Sequence, residues 1–208
     1  MSNLPFLSVD AAAGRGSAHP VAKSAIERAQ RDLGATFEER DGWLVPVSIP
    51  GEAAHLAVVG IADLSHLTKL EVRPAGEPVE GEGIVWCPIS PRRALVMCPP
   101  VLGAAVREQV GERFSLDVTG AYSVIAIAGP EADTVLRRLT HIHHFPSGGE
   151  IAHVQGHVLQ RGGGYWVICA QELGHYVWEV AVDRAAALGG GAVGVDSGGV
   201  DALGGGTA

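Results

Sequence analysis

Cysteine, positive charge and long apolar runs are all scarce in this 208-residue chain, and each shortage closes off a class of function. There are 3 cysteines, Cys87, Cys98 and Cys169, an odd number set in separate strand-like stretches (IVWCP, LVMCP, WVICA). That pattern predicts reduced core thiols rather than a disulfide framework. Lys and Arg total 15 against 23 Asp and Glu, a net charge of -8, so no basic stripe exists to neutralise phosphates and nucleic acid is excluded as a partner. No window reaches the roughly 20 apolar residues that span a bilayer, and the opening MSNLPFLSVD lacks a basic start followed by an apolar run. The expectation is a cytoplasmic protein that binds no membrane.

What is present is ample apolar material: 47% of residues are hydrophobic, and a chain of this length can bury roughly 70% of its unfolded surface. Residues 1–18 show no period and read as a flexible tail. SAHPVAKSAIERAQRDLG, from Ser17 to Gly34, has Val21, Ile26, Ala29 and Leu33 at near-helical spacing and predicts a helix. GWLVPVSI reads as a strand and EAAHLAVVG as a short helix. LTKLEVR alternates Leu70 and Val72 against Lys69, Glu71 and Arg73, which predicts a half-buried strand. After the loop at 74–83, RALVMC, PVLGAAVREQVGERF, SLDVT, YSVIAIAG, PEADTVLRRLT and GHVLQR give a β-α-β-β-α-β order, a ferredoxin-like unit at about 93–161. Within it Ile125, Ile127, Val135, Leu136 and Leu139 are expected to share one core. A hairpin turning at Gly162–Gly164 follows, then HYVWEVAVD as a strand, and a Gly-rich flexible tail over 191–208.

Three groups of residues invite chemistry. Gly129 and Pro130 stand between a strand and a helix, but without G-x-G-x-x-G or G-K-[ST] they read as a helix start rather than a phosphate cradle. His141 and His143 would share a strand face, and a metal could use that spacing. No third ligand stands at a recognised spacing, so the cluster from His141 to His144 reads as surface histidines. Asp63, Ser65 and His66 in VGIADLSHLTKLEVRP could be forced into a hydrolase triad. The exposed G-x-S-x-G elbow is missing, and adjacent Ser65 and His66 would face opposite sides of a strand. Asp63 and Ser65 are better read as hydrogen-bonding a neighbouring backbone where the chain enters the sheet.

The same stretch carries a larger resemblance. GWLVPVSI followed by VGIADLSHLTKLEV resembles the G-W-x-x-P-V and G-x-x-D-x-S-H-x-x-K-x-x-V of the aminomethyltransferase family, the T-protein of the glycine cleavage system. IAIAGPEADTVLRRL is similar to that family's A-x-x-G-P-x-A-x-x-V-L. QELGHYVWEVAV is similar to its G-E-D-G-x-E strand, with Glu172 on the folate-contacting glutamate and Gly174 on the glycine. The likeness runs from about residue 20 to 190. It implies a two-lobed α+β aminomethyltransferase-like fold over 19–190, with lobes of about 19–92 and 93–190 and no C-terminal barrel. It also implies tetrahydrofolate as cofactor, none covalently bound, and Glu172, Tyr176, Asp63, Ser65 and His66 near the pterin. It assigns no catalytic residue; Asp63 is a candidate, and in a transferase Asp63 or Glu172 would polarise the substrate amine.

The departures from the family pattern matter as much. Trp86 and Cys87 stand where the family carries its catalytic aspartate, and Cys98 replaces an asparagine. A chain holding two lobes resembles the small gamma subunit of heterotetrameric sarcosine oxidase. That likeness implies an accessory subunit, partnered by flavin-dependent amine oxidase subunits in one-carbon metabolism. Two alternatives stay open: a stand-alone tetrahydrofolate-dependent aminomethyl or methyl transferase, and a folate-binding scaffold or sensor.

Overall fold

Val124, Ile125, Ala126 and Ile127 form an unbroken apolar run, and such a strand has to be covered on both faces. The computed structural model, which describes residues 20–197, places them in β9 (Tyr122–Ala128), inside a six-stranded sheet. The order is β10 (Ser147–Ile151), β11 (Val154–Arg161), β12 (Gly164–Ala170), β9, β4 (Gly60–Asp63) and β13 (Gly191–Ala192). One face packs α4 (Ala132–Arg137) and α5 (Gly174–Ala186) over Ile125, Ile127 and Val167, with Val135, Leu136 and Leu139 in the same core. All five expected core residues meet there.

The other face looks across to a four-stranded sheet ordered β6 (Val85–Ser90), β7 (Arg93–Cys98), β5 (Thr68–Arg73) and β8 (Phe114–Asp117). Ala126, Trp166 and Ile168 from the first sheet join Cys87, Leu95 and Met97 from the second in one buried layer. The far side of the second sheet is closed by α3 (Gly103–Val110), whose Val106 and Val110 cover Leu70 and Val96. A third sheet, β1 (Ala22–Lys23), β3 (Trp43–Ser48) and β2 (Thr36–Arg40), flanks these, with α1 (Glu27–Asp32) and α2 (Glu52–Leu56).

Several expectations change. The elements read over 93–161 occur with one strand more, β10 before β11, and β7 and β8 pair with β5 in the second sheet. The unit that has ferredoxin-like connectivity within one sheet is β9-α4-β11-β12-α5-β13, with β4 inserted between its first and last strands. HYVWEVAVD is therefore helix: Val177, Trp178, Ala181 and Ala185 form its buried stripe, and their packing overrides the β preference of its valines. A lobe boundary at 92/93 fails because it cuts the β6–β7 hairpin, where Ser90 pairs with Arg93. β5 is buried on both faces rather than half-buried, since a sheet covers one side and α3 the other.

The first predicted helix is shortened to α1, with β1 occupying residues assigned to it. The expected tail is ordered as far as residue 197: Gly191 and Ala192 pair with Gly60 and Ile61. The remaining tail residues, 1–18 and 198–208, lie outside the described residues. Gly129 and Pro130 do precede a helix. Gly129 has φ +117, and a Cβ on it would stand 2.8 Å from the Val58 carbonyl oxygen, so only glycine lets this turn close on the β4 side. Among the described residues no helix is long and apolar enough to cross a membrane.

Leu136 is 2% exposed beneath α4. Leu136→Ala is expected to lower unfolding free energy by about 2–5 kcal/mol in a denaturant titration, the cost of an unfilled core cavity.

Candidate functional site

Asp63 ends β4 with only 1% of its surface exposed, and a buried carboxylate has to be hydrogen-bonded. Its Oδ1 accepts the Ser65 backbone N–H at 2.9 Å and its Oδ2 accepts Gln30 Nε2 at 3.4 Å. Burial pushes this carboxyl above its ordinary range, with hydrogen bonds from Ser24 and Ser65 and the Lys69 charge opposing. Ser65 Oγ accepts the Val124 N–H at 3.2 Å, fastening the turn after β4 to β9. The reading of Asp63 and Ser65 as backbone hydrogen-bonders therefore holds. Ser65 and His66 do not lie on a strand, because β4 stops at Asp63 and the chain turns before β5.

Lys69 is the residue that the chemistry-first reading missed. It is fully buried, and its Nζ donates to the carbonyls of Ser65 at 2.7 Å, Leu67 at 3.0 Å and Thr119 at 3.0 Å. Burial pulls its ammonium down to about 8, against the charges of Asp63 and Asp117. The signal was available in the sequence: a lysine three residues after Ser-His, at the mouth of an apolar strand. Glu71 was missed too. It is buried between the guanidiniums of Arg73 and Arg93, the latter at 2.6 Å, and Arg93 above all lowers its pKa.

Beyond Asp63 the first sheet's end is closed by Gln171 and Gly174. With its amide turned to suit its neighbours, Gln171 donates to Ser123 Oγ at 3.0 Å and to the Tyr122 carbonyl at 3.2 Å, and accepts from Ala25 N at 3.2 Å. A Cβ on Gly174 would fall 2.0 Å from Ser123 Oγ, so glycine is what lets α5 start against β9. Glu172 sits between them in the 3-10 turn after β12, exposed to solvent. Its charge and that of Asp63 both bear on Cys169, whose thiol is pushed up to about 12, chiefly by burial. The structure thus gathers Asp63, Ser65 and Glu172 at one end of the sheet. Tyr176 lies apart, in a cleft between α5 and the segment after α4.

Cys87 and Cys98 are buried and free, their thiols pushed up to about 12 and about 11 by burial, which leaves them unreactive. His141 and His143 lie in an irregular segment rather than on a strand. Among the described residues no three His, Cys, Asp or Glu side chains are grouped to hold a metal.

No protein-family profile matches the chain. It is 26% identical over 221 residues to a probable aminomethyltransferase of Aeropyrum pernix, taking in 80% of this chain and 59% of that protein. A shorter stretch of 55 residues is 49% identical to an aminomethyltransferase of Mycobacterium avium, covering 24% of this chain and 15% of that one. Among solved structures, the glycine cleavage system aminomethyltransferase T of Bartonella henselae matches with a TM-score of 0.63 at 15% identity, over 85% of this chain and 60% of that chain. The chain has an aminomethyltransferase-like fold. A chain of the heterotetrameric sarcosine oxidase of Corynebacterium sp. U-96 matches with a TM-score of 0.53 at 18% identity, over 66% of this chain and 90% of that one. These relatives support the family resemblance seen in the sequence, and the chain spans about 59% of the Aeropyrum protein's length.

Within this aminomethyltransferase-like fold His66 offers a direct test of burial. Its Nδ1 is buried without a partner among the described residues, and its pKa falls to about 4 through burial and then the charges of Lys69 and Arg40, with Asp196 opposing. Between about pH 4 and 6.5 the unfolded chain binds a proton at His66 that the folded chain refuses, so stability falls as the pH drops through that window. His66→Leu is expected to flatten this loss by about 1–3 kcal/mol in denaturant titrations at pH 4.5 and 7, the partly exposed ring keeping it below the full shift.

Proposed function

We infer that the chain is an accessory, gamma-type subunit of a sarcosine-oxidase-like, tetrahydrofolate-linked N-demethylating complex, assembled in the cytoplasm with flavin-dependent amine oxidase subunits. One observation carries the reading: the fold matches 90% of a heterotetrameric sarcosine oxidase chain but 60% of an aminomethyltransferase T. Its surface suits a partner. Edge strand β8 carries Phe114 and Leu116 at 47% and 49% exposure, and Val101 is 77% exposed. Exposed apolar side chains on an open strand edge favour docking.

Catalysis by the chain alone has little support in its residues. Where the family resemblance expects a carboxylate, Cys87 is buried with a thiol too basic to move protons near neutrality, and Asp63 is sealed from solvent. The match to the Aeropyrum protein over 80% of the chain favours the second reading, a tetrahydrofolate-dependent aminomethyl transferase in which Asp63 serves the amine. The residues fit a pterin at Glu172, an exposed carboxylate able to accept two hydrogen bonds in one plane from a pterin's N–H groups. Tetrahydrofolate bound there would accept the one-carbon unit. Glu172 would orient the ring, while the Gln171 clamp would hold the turn that presents it.

The purified chain is expected to show no aminomethyl transfer to tetrahydrofolate. Coexpressed with a flavin-dependent amine oxidase subunit, it is expected to elute with the flavin absorbance as one complex. Turnover by the isolated chain at enzyme rates would overturn the accessory reading. Glu172→Gln should weaken tetrahydrofolate binding in calorimetry by about 1.5–3 kcal/mol while leaving the circular dichroism unchanged.

A further inference from the structure

The cleft that holds Tyr176 lies outside the Asp63 cluster and has a volume of about 670 Å³. Its walls bring Arg137 and Arg138 from the end of α4 and Arg184 from α5 together with His141 and His153, over an apolar floor that includes Leu139 and Val180. In a chain of net charge -8 this is a local concentration of cations. Arg137 and Arg184 are each tied to a carboxylate, Asp133 and Asp183, at 2.6 Å. Arg138 has no carboxylate among the described residues; its Nη1 donates at 3.4 Å to the Arg184 carbonyl. Glu150 is the one acidic residue in the wall, and its carboxylate lies 3.2 Å from His153 Nδ1.

The wall is built before any ligand arrives. Ala152 N donates to the Leu139 carbonyl at 2.7 Å, and Thr140 Oγ1 donates to the Glu150 carbonyl at 2.6 Å. Thr140 also pairs with Ile151 as a single bridge. These bonds fix the His141 segment against the β10–β11 turn. That turn holds Ala152 and His153 at φ +47 and +67, a conformation that glycine or asparagine adopts at less cost. His153, its side chain 87% exposed, thus borders the cleft from a turn whose backbone glycine would hold at less cost.

We propose that this cleft binds a small ligand through an oxyanion group, a carboxylate or a phosphate, gripped by Arg138 and Arg184 with His141 and His153 beside them. A planar guanidinium fork matches either group, and the apolar floor accommodates a short carbon body. Tyr176 supplies a phenol at the rim.

The test is calorimetric titration of the full chain with two probes, inorganic phosphate and succinate. Binding of phosphate alone identifies a phosphate site, and binding of succinate alone or of both identifies a site open to carboxylates. In each case Arg138→Gln and Arg184→Gln should weaken binding roughly tenfold or more, and rising salt should weaken it further. Arg92→Gln, in the exposed β6–β7 turn, should leave it unchanged. His153→Gly separates binding from folding: it is expected to weaken binding while keeping or raising the thermal midpoint, since glycine takes the left-handed conformation freely. Failure of both probes to bind at about 10 mM, a concentration far above an ordinary site's Kd, would overturn the proposal. So would binding that survives both arginine variants.

Discussion

A buried ammonium group governs how the two large sheets meet. Lys69 enters β5 with its Nζ satisfied by three backbone carbonyls, two from the turn it has just left and one from the segment that leads into β9. Such a charge is tolerated only while every donor is occupied, so the turn from Asp63 to Lys69 and the approach to β9 have one geometry available. Asp63 and Ser65 complete the constraint from the other side. One carboxylate oxygen holds the Ser65 N–H, and the Ser65 hydroxyl holds the Val124 N–H. The D-x-S-H-x-x-K stretch is thus a crossover knot. It passes the chain from the six-stranded sheet to the four-stranded sheet, and an apolar layer that includes Trp166, Met97 and Cys87 lies between the two.

Local chemistry was legible in the sequence because its causes are local. The apolar spacing placed Ile125, Val135 and Leu136 in one core, and the apolar surroundings of the cysteines marked them as buried. The missing nucleophile elbow turned Ser65 into a hydrogen-bond acceptor. Sheet membership was not legible. β7 and β8 read in sequence like continuous partners of β9, yet both pair with β5, and nothing within either segment encodes that choice. The alternation in LTKLEVR misled for the same reason: Lys69 and Glu71 look solvent-facing, but both are accommodated in the interior, Lys69 hydrogen-bonded by carbonyls and Glu71 paired with arginines.

The α5 segment shows tertiary context overriding composition. Val177, Val180 and Val182 with two aromatics have strand-like propensity, while Val177, Ala181 and Ala185 keep a four-residue period that serves a helix on a sheet. Gly174 decides between them. A side chain there would collide with Ser123, and its absence lets the chain turn from β12 into a helix lying directly on β9. The glycine shared with the family pattern is therefore a packing device, and it also sets where the neighbouring Glu172 emerges.

That division of labour bears on function. The residues nearest the family's sequence pattern, Asp63, Ser65, Lys69, Gly129 and Gly174, are engaged in holding backbone or permitting close approach. A ligand could reach few of them without opening the fold. The exposed residues at the same end of the sheet, Glu172 foremost, depend on the buried ones for position but are free to meet something else. The chain therefore keeps an aminomethyltransferase-like architecture through buried side chains that are distinct from the exposed ones around Glu172.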